Sequence, residues 1–205
     1  MEIHMKELEK KDYKQVIQFA ITGMHFNLYL QNRFLLNLYG KYFWYDELNR
    51  ATQVIAIYVK TELAGVLLAD MKNEEKKYKS FGKTMYIKLF DFLQNLFFKG
   101  GADIYNEANK EMFNEYRKKN NPDGQIVFLA SNPFLKEKGI GSMLLKELER
   151  REKGKQIYLY TDEACTYQFY EHRGFSRSGE KNVILKFGSR KVPLKCFLYS
   201  KKLSV

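Results

Sequence analysis

The chain has 205 residues, enough for one domain whose core folds without disulfide or metal staples. A hydrophobic content of 45% with 16% aromatics excludes a disordered chain, and two cysteines, Cys165 and Cys196, exclude a disulfide framework. A formal net charge of +11 favours polyanionic ligands, yet the basic residues lie in short scattered clusters with no nucleic-acid motif beside them.

No apolar run has membrane-spanning length, and the first residues lack the apolar core of a signal peptide. The expectation is one soluble cytoplasmic domain over residues 1–205, with no metal, no membrane and no nucleic acid.

In chain order, Ile3, Met5 and Leu8 alternate as an edge strand would. Asp12 is the expected N-cap of a helix carrying Val16, Phe19 and Ala20. A second helix is expected over residues 31–42. With Phe26, Tyr29, Phe34, Tyr39, Tyr42, Phe43, Trp44 and Tyr45, this region is either core packing or one wall of an acceptor pocket. Residues 53–59 and 63–71 read as an antiparallel hairpin, joined through Lys60, Thr61 and Glu62.

Residues 76–123 read as a helical hairpin laid over or beside the sheet. Tyr86, Leu89, Phe90, Leu93, Leu96 and Phe97 keep helical spacing, while Ile87, Phe92 and Phe98 make other faces apolar too. Such a helix is buried on several sides or meets a partner, and a homodimer through residues 85–98 is one expectation. Gly100 and Gly101 should stop it. Asp103 should start the second helix, with Tyr105, Ala108, Met112 and Tyr116 inward.

Residues 126–130 (IVFLA) are a buried strand, ended by Asn132 and Pro133. Ile140, Leu144 and Leu148 then share one helical face, with Glu147 and Arg151 paired on the wet side. Gly139 and Gly141 stand where this helix begins, and a helix N-terminus offers unpaired N–H groups and positive dipole to phosphate oxygens. The stretch is thus either a pyrophosphate cradle or an ordinary strand-to-helix turn. A strand follows at 156–161, then a short helix at 166–172 stopped by Gly174, then strands at 182–187 and 194–199 with a turn at 188–190.

The loop at 136–141 ahead of a helix, the strand ending in Thr161-Asp162, and the segment Phe169-Tyr170-Glu171-His172-Arg173-Gly174-Phe175 together resemble the GCN5-related N-acetyltransferases (the GNAT family). That family pairs an Arg/Gln-x-x-Gly-x-Gly/Ala loop with a Tyr-Glu-x-x-Gly-Phe segment; Lys136 stands here where Arg or Gln is usual. The resemblance covers about residues 125–175. It implies an α+β fold: a central, mostly antiparallel twisted sheet with splayed central strands flanked by helices, to which residues 76–123 would be an insertion.

The resemblance also implies an acetyl-CoA-dependent N-acetyltransferase acting by direct transfer to a primary amine. Leu129, Ala130 and Ser131 would bind the pantetheine arm of acetyl-CoA through their backbone. Lys138, Gly139, Ile140, Gly141 and Ser142 would give N–H groups to the diphosphate, with Lys136 as a point-charge partner. Tyr170 would be the general acid, a phenol of pKa about 10 returning a proton to a thiolate of pKa about 8.5; its other reading is packing with Phe169 and Phe175.

The base is unassigned among Asp162, Glu163, Asp70 and His172, and Cys165 reads as a small buried residue. Two other functions compete. A dinucleotide-binding oxidoreductase lacks its third glycine, replaced by Leu144, and its first glycine is too far from the strand. The other is a non-catalytic CoA-binding or interaction module on the same fold.

Overall fold

The computed structural model describes residues 2–28, 30–97, 101–135, 139–187 and 190–204. Seven strands form one sheet in the order β1-β2-β3-β4-β5-β7-β6: β1 (Ile3–Lys6), β2 (Gln53–Val59), β3 (Glu62–Met71), β4 (Gly124–Ser131), β5 (Gln156–Asp162), β6 (Ser176–Phe187) and β7 (Arg190–Lys202). Every neighbouring pair is antiparallel except β4 and β5, which run parallel. The helices are α1 (Tyr13–Gly23), α2 (Arg33–Arg50), α3 (Phe81–Phe97), α4 (Gly101–Tyr116), α5 (Ile140–Arg151) and α6 (Gln168–Glu171). Among the described residues no helix is long and apolar enough to cross a membrane.

Both faces of the sheet are covered. On one face, Ile140, Leu144, Leu145 and Leu148 of α5 bury against Ile55, Ile57, Leu67, Ile157, Leu159 and Tyr199. The predicted apolar stripe is therefore the packing face, and each fully buried leucine is worth about 2 kcal/mol. On the other face, α1 and α2 cover the β1–β4 half through Val16, Phe19, Trp44 and Leu48. The β5–β7–β6 half is covered by Met112 and Tyr116 of α4. α2 and α4 thus belong to separate clusters on this face, one on the β4 side and one on the β5 side of the line where those strands meet.

Several boundaries differ from expectation. Asp12 does stand at the start of α1, but its carboxylate makes no cap bond; it accepts from the Tyr58 hydroxyl at 2.7 Å instead. α2 runs eight residues past the predicted end at 42, and Asn32 caps it by accepting from the N–H groups of Phe34 and Leu35. β6 begins at Ser176, six residues early, because its polar first half borrows its pairing from β7 on an edge where both side-chain faces can be wet.

The predicted helical hairpin is divided between two neighbours. α3 packs on α2, with the Tyr42 and Phe90 rings stacked at 4.5 Å and the Tyr42 hydroxyl donating to Asp91 at 2.8 Å. α4 starts at Gly101, where a helix stop was expected, and packs on β6 and β7. Gly100, the other expected stop, lies outside the described residues.

Candidate active site

β4 and β5 pair at only three positions: Gly124 with Ile157, Gln125 with Tyr158, and Ile126 with Leu159. Beyond Ile126 the strands fork. β4 stays on β3 while β5 stays on β7, so among the described residues the β5-side edge of 127–131 has no strand partner. A β-bulge causes the change of course: Leu68 faces Phe128 while the next residue, Ala69, faces Ile126, so β4 carries Val127 as an extra residue. Bulges bend a strand and end its pairing. Leu129, Ala130 and Ser131, the predicted pantetheine positions, all lie on the forked part of β4, where unpaired backbone groups face the gap.

α5 starts beside the mouth of this fork. Gly65 of β3, paired with Ser131, makes room for it: a Cβ there would stand 2.6 Å from the Ile140 side chain. Gly139 is the N-cap, with φ of 88°, a left-handed conformation that costs a side-chain-bearing residue about 1 kcal/mol or more. The first helical bond runs from Met143 N–H to Gly139, so the N–H groups of Ile140, Gly141 and Ser142 precede the ladder. Lys136 and Lys138, the two lysines predicted at this loop, lie outside the described residues.

Gly141 has a second role that its sequence context does not reveal. A Cβ on it would lie 3.0 Å from the Phe169 ring, so the helix start and α6 touch through this glycine. Arg173 locks the same junction, with Nε donating to Ser142 Oγ at 2.9 Å and its guanidinium 5.0 Å from the Phe169 ring centroid. It is exposed, and it sets a fixed cation at the N-terminus of α5. Its only sequence signal was its place in the Phe169–Phe175 segment.

Tyr170 sits on α6 among Phe169, Phe175 and Tyr199, with ring centroids at 5.3, 5.6 and 6.3 Å, packed against the core under α5. Burial, with Cys165 adding to it, raises the phenol well above its ordinary value, so it keeps its proton at neutral pH. Burial and then Asp162 push the Cys165 thiol up to about 12, which makes it a neutral thiol and not a nucleophile.

The carboxylates considered as bases are mostly engaged. Asp162 is buried and closes a turn, accepting from the N–H groups of Ala164 and Cys165 at 3.0 and 3.2 Å and from the Tyr105 hydroxyl at 3.4 Å. Glu163 accepts from Lys195 N–H at 2.9 Å, and Asp70 pairs with Lys76 at 3.3 Å. His172 is exposed at the end of α6. A cavity of about 490 Å³, lined by Thr52, Gln53, Glu74 and Arg151 among others, adjoins the C-terminal end of α5 and not its start.

At the closed end of the fork, on the α2 side of the sheet, stands a polar group that the sequence did not mark. Arg50 of α2 donates to Gln125 Oε1 at 3.1 Å, and the Tyr158 hydroxyl donates to the same oxygen at 3.1 Å. Asp46 and Glu47 share this helix turn. Burial raises both, Glu47 to about 7 against the opposing pull of Arg50.

No protein-family model matches the sequence, and no curated protein matches it. Solved structures do match over nearly the whole chain. The PaiA N-acetyltransferase of Thermoplasma acidophilum, in complex with coenzyme A, aligns with 98% of this chain and 99% of its own at 14% identity and a TM-score of 0.53. An acetyltransferase from Corynebacterium glutamicum, related to a histone acetyltransferase, aligns with 100% and 98% at 15% identity and 0.57. The C-terminal condensation domain of Ebony, in complex with beta-alanyl-dopamine, aligns with 98% and 99% at 13% identity and 0.57. At such identities the likeness is one of fold. That fold is the α+β fold of the GNAT acetyltransferases, with the splayed central strands that the family resemblance implied.

Proposed function

We propose that the chain is an acetyl-CoA-dependent N-acetyltransferase that acts on a primary amine by direct transfer. The observation that carries this reading is the fork of β4 from β5 at the Val127 bulge, with the start of α5 beside its mouth and Tyr170 packed against the core that α5 covers. The chain's residues fit the proposed ligand. The free edge at Leu129, Ala130 and Ser131 has the alternating donors and acceptors that an amide-bearing pantetheine arm pairs with. Gly139, Ile140, Gly141 and Ser142 present a helix start to the diphosphate, and Arg173 adds a cation there. Lys136 and Lys138 complete the proposed set from the adjoining loop. Bound there, acetyl-CoA would supply an activated acyl carbon and a thiol leaving group.

Tyr170 acts as the acid in this reading. Burial keeps its hydroxyl protonated at neutral pH and also makes it a weaker donor than a free phenol, so in this reading the transfer depends on its closeness to the departing thiolate. Titration calorimetry with acetyl-CoA, paired with acetyl-transfer assays over classes of amines, tests the whole proposal. Wild type should bind and turn over, and Tyr170→Phe should lose at least tenfold in turnover with its acetyl-CoA affinity nearly intact. Unchanged turnover in that variant would remove the acid assignment. Binding without turnover on any amine would favour a non-catalytic CoA-binding module.

We also assign self-association to α3, whose Phe81, Met85, Leu89 and Phe92 are exposed at helical spacing.

A further inference from the structure

α2 is held over β4 at two points. Phe43 packs edge-on against Phe128 with centroids 5.8 Å apart, and Arg50 bonds Gln125. Residues 43, 47 and 50 share one helical face, so Glu47 stands between those two anchors, above Val127. This is the bulge at which β4 leaves β5. The Glu47 side chain is 12% exposed; its Oε2 lies 3.5 Å from Arg50 Nη1 and accepts no hydrogen bond. Oε2 is thus enclosed and faces Arg50, and the exposed remainder of the carboxylate is the part that can meet a ligand's proton.

We propose that Glu47 is the general base of the transfer and that the acceptor binds as an ammonium ion on the α2 side of the sheet, where β4 leaves β5. This inference rests on the acetyltransferase reading. The step is a proton transfer: R–NH₃⁺ gives one proton to the Glu47 carboxylate, leaving R–NH₂ with a free lone pair and a neutral carboxylic acid. The acid then releases its proton to solvent.

The charges around Glu47 suit a cation. Asp46 and Arg50 flank it on α2, Asp70 faces it from β3, and Asp91 of α3 acts on Asp46. Tyr39 of α2 and Tyr158 of β5 are neutral phenols raised to about 12, chiefly by burial. Lys76 is paired with Asp70. Burial holds Glu47 near 7, where a base is half ionised at neutral pH and both takes and returns a proton readily.

The test uses the full chain labelled with ¹³C at glutamate carboxyls, with Glu47→Gln to identify the resonance. Its pH titration is followed alone and with 1,4-diaminobutane, 2-phenylethylamine or lysine methyl ester, and with acetate and 3-phenylpropionate as anionic controls. Acetyl-CoA binding is measured in parallel on both proteins. Support is a midpoint near 7 that at least one amine lowers and neither anion does. Transfer to that amine should then fall at least a hundredfold in Glu47→Gln, with acetyl-CoA affinity within twofold of wild type. In the wild type, activity should rise with pH through about 7, and this limb should vanish in the variant. An ordinary midpoint, a midpoint that no amine moves, or full turnover in Glu47→Gln overturns the proposal. Loss of acetyl-CoA binding by the wild type would instead sink the acetyltransferase reading, since the amine titration is read without that ligand.

Discussion

A single carboxylate shows how burial couples stability to chemistry. Glu47 holds a proton up to about pH 7 in the fold, against about 4.5 when unfolded. Its folded value is the raised one, so its contribution is fully present below about 4.5 and is lost as pH climbs through about 7. The shift corresponds to a cost on the order of 3 kcal/mol for carrying the ionised group at alkaline pH. Glu47→Gln cannot titrate and escapes that cost. Urea unfolding of both proteins at pH 5, 6, 7 and 8 should show the variant gaining on wild type by up to about 3 kcal/mol across the series. A difference that stays constant with pH would mean that Glu47 titrates like a surface glutamate.

At the scale of elements, the site is a junction between α5, α6 and the forked end of β4. Gly141 is the contact point, because only a residue without a side chain lets α5 approach Phe169 this closely. Gly141→Leu should displace the Phe169 ring and with it α6, and should also crowd the first-turn N–H groups. Acetyl-CoA affinity should then be abolished while far-UV circular dichroism keeps its wild-type shape. Gly141→Ala, whose methyl meets the ring edge at 3.0 Å, should fall between the two. Full affinity in Gly141→Leu would argue that no phosphate rests on this helix start. The sequence announced the glycine but not its neighbour: spacing placed Gly141 on the helix, and only the fold brings Phe169 to it.

The same division holds across the chain. Where a local pattern dictates structure, the sequence was legible: the apolar runs of β2 and β3, the Ile140–Leu144–Leu148 stripe, and the segment around Tyr170. The Val127 bulge left no mark, because an extra residue in a run of apolar side chains looks like the run itself. Asp46 and Glu47 fell beyond the expected end of α2 at 42, and nothing local says that β3 and β4 lie beneath them. The first half of β6 was hidden for the opposite reason, being polar on both faces.

At the scale of the whole molecule, an apolar stripe on α3 stays uncovered among the described residues. α3 meets α2 through Tyr86 and Phe90, while Phe81, Met85, Leu89 and Phe92 stay 84, 62, 56 and 65% exposed. Scattered exposed apolar residues need no explanation, but four in line along one helix make a contiguous patch of the kind that marks an interface. Two copies joined through α3 would bury this stripe and leave the opposite face of the sheet, with α5 and Tyr170, open to ligand. Sedimentation velocity between about 1 and 100 μM should show concentration-dependent dimerisation in wild type. Met85→Lys with Phe92→Glu should hold the protein monomeric, with its unfolding midpoint little changed because neither side chain serves the core. A wild type that stays monomeric across that range would remove self-association from α3.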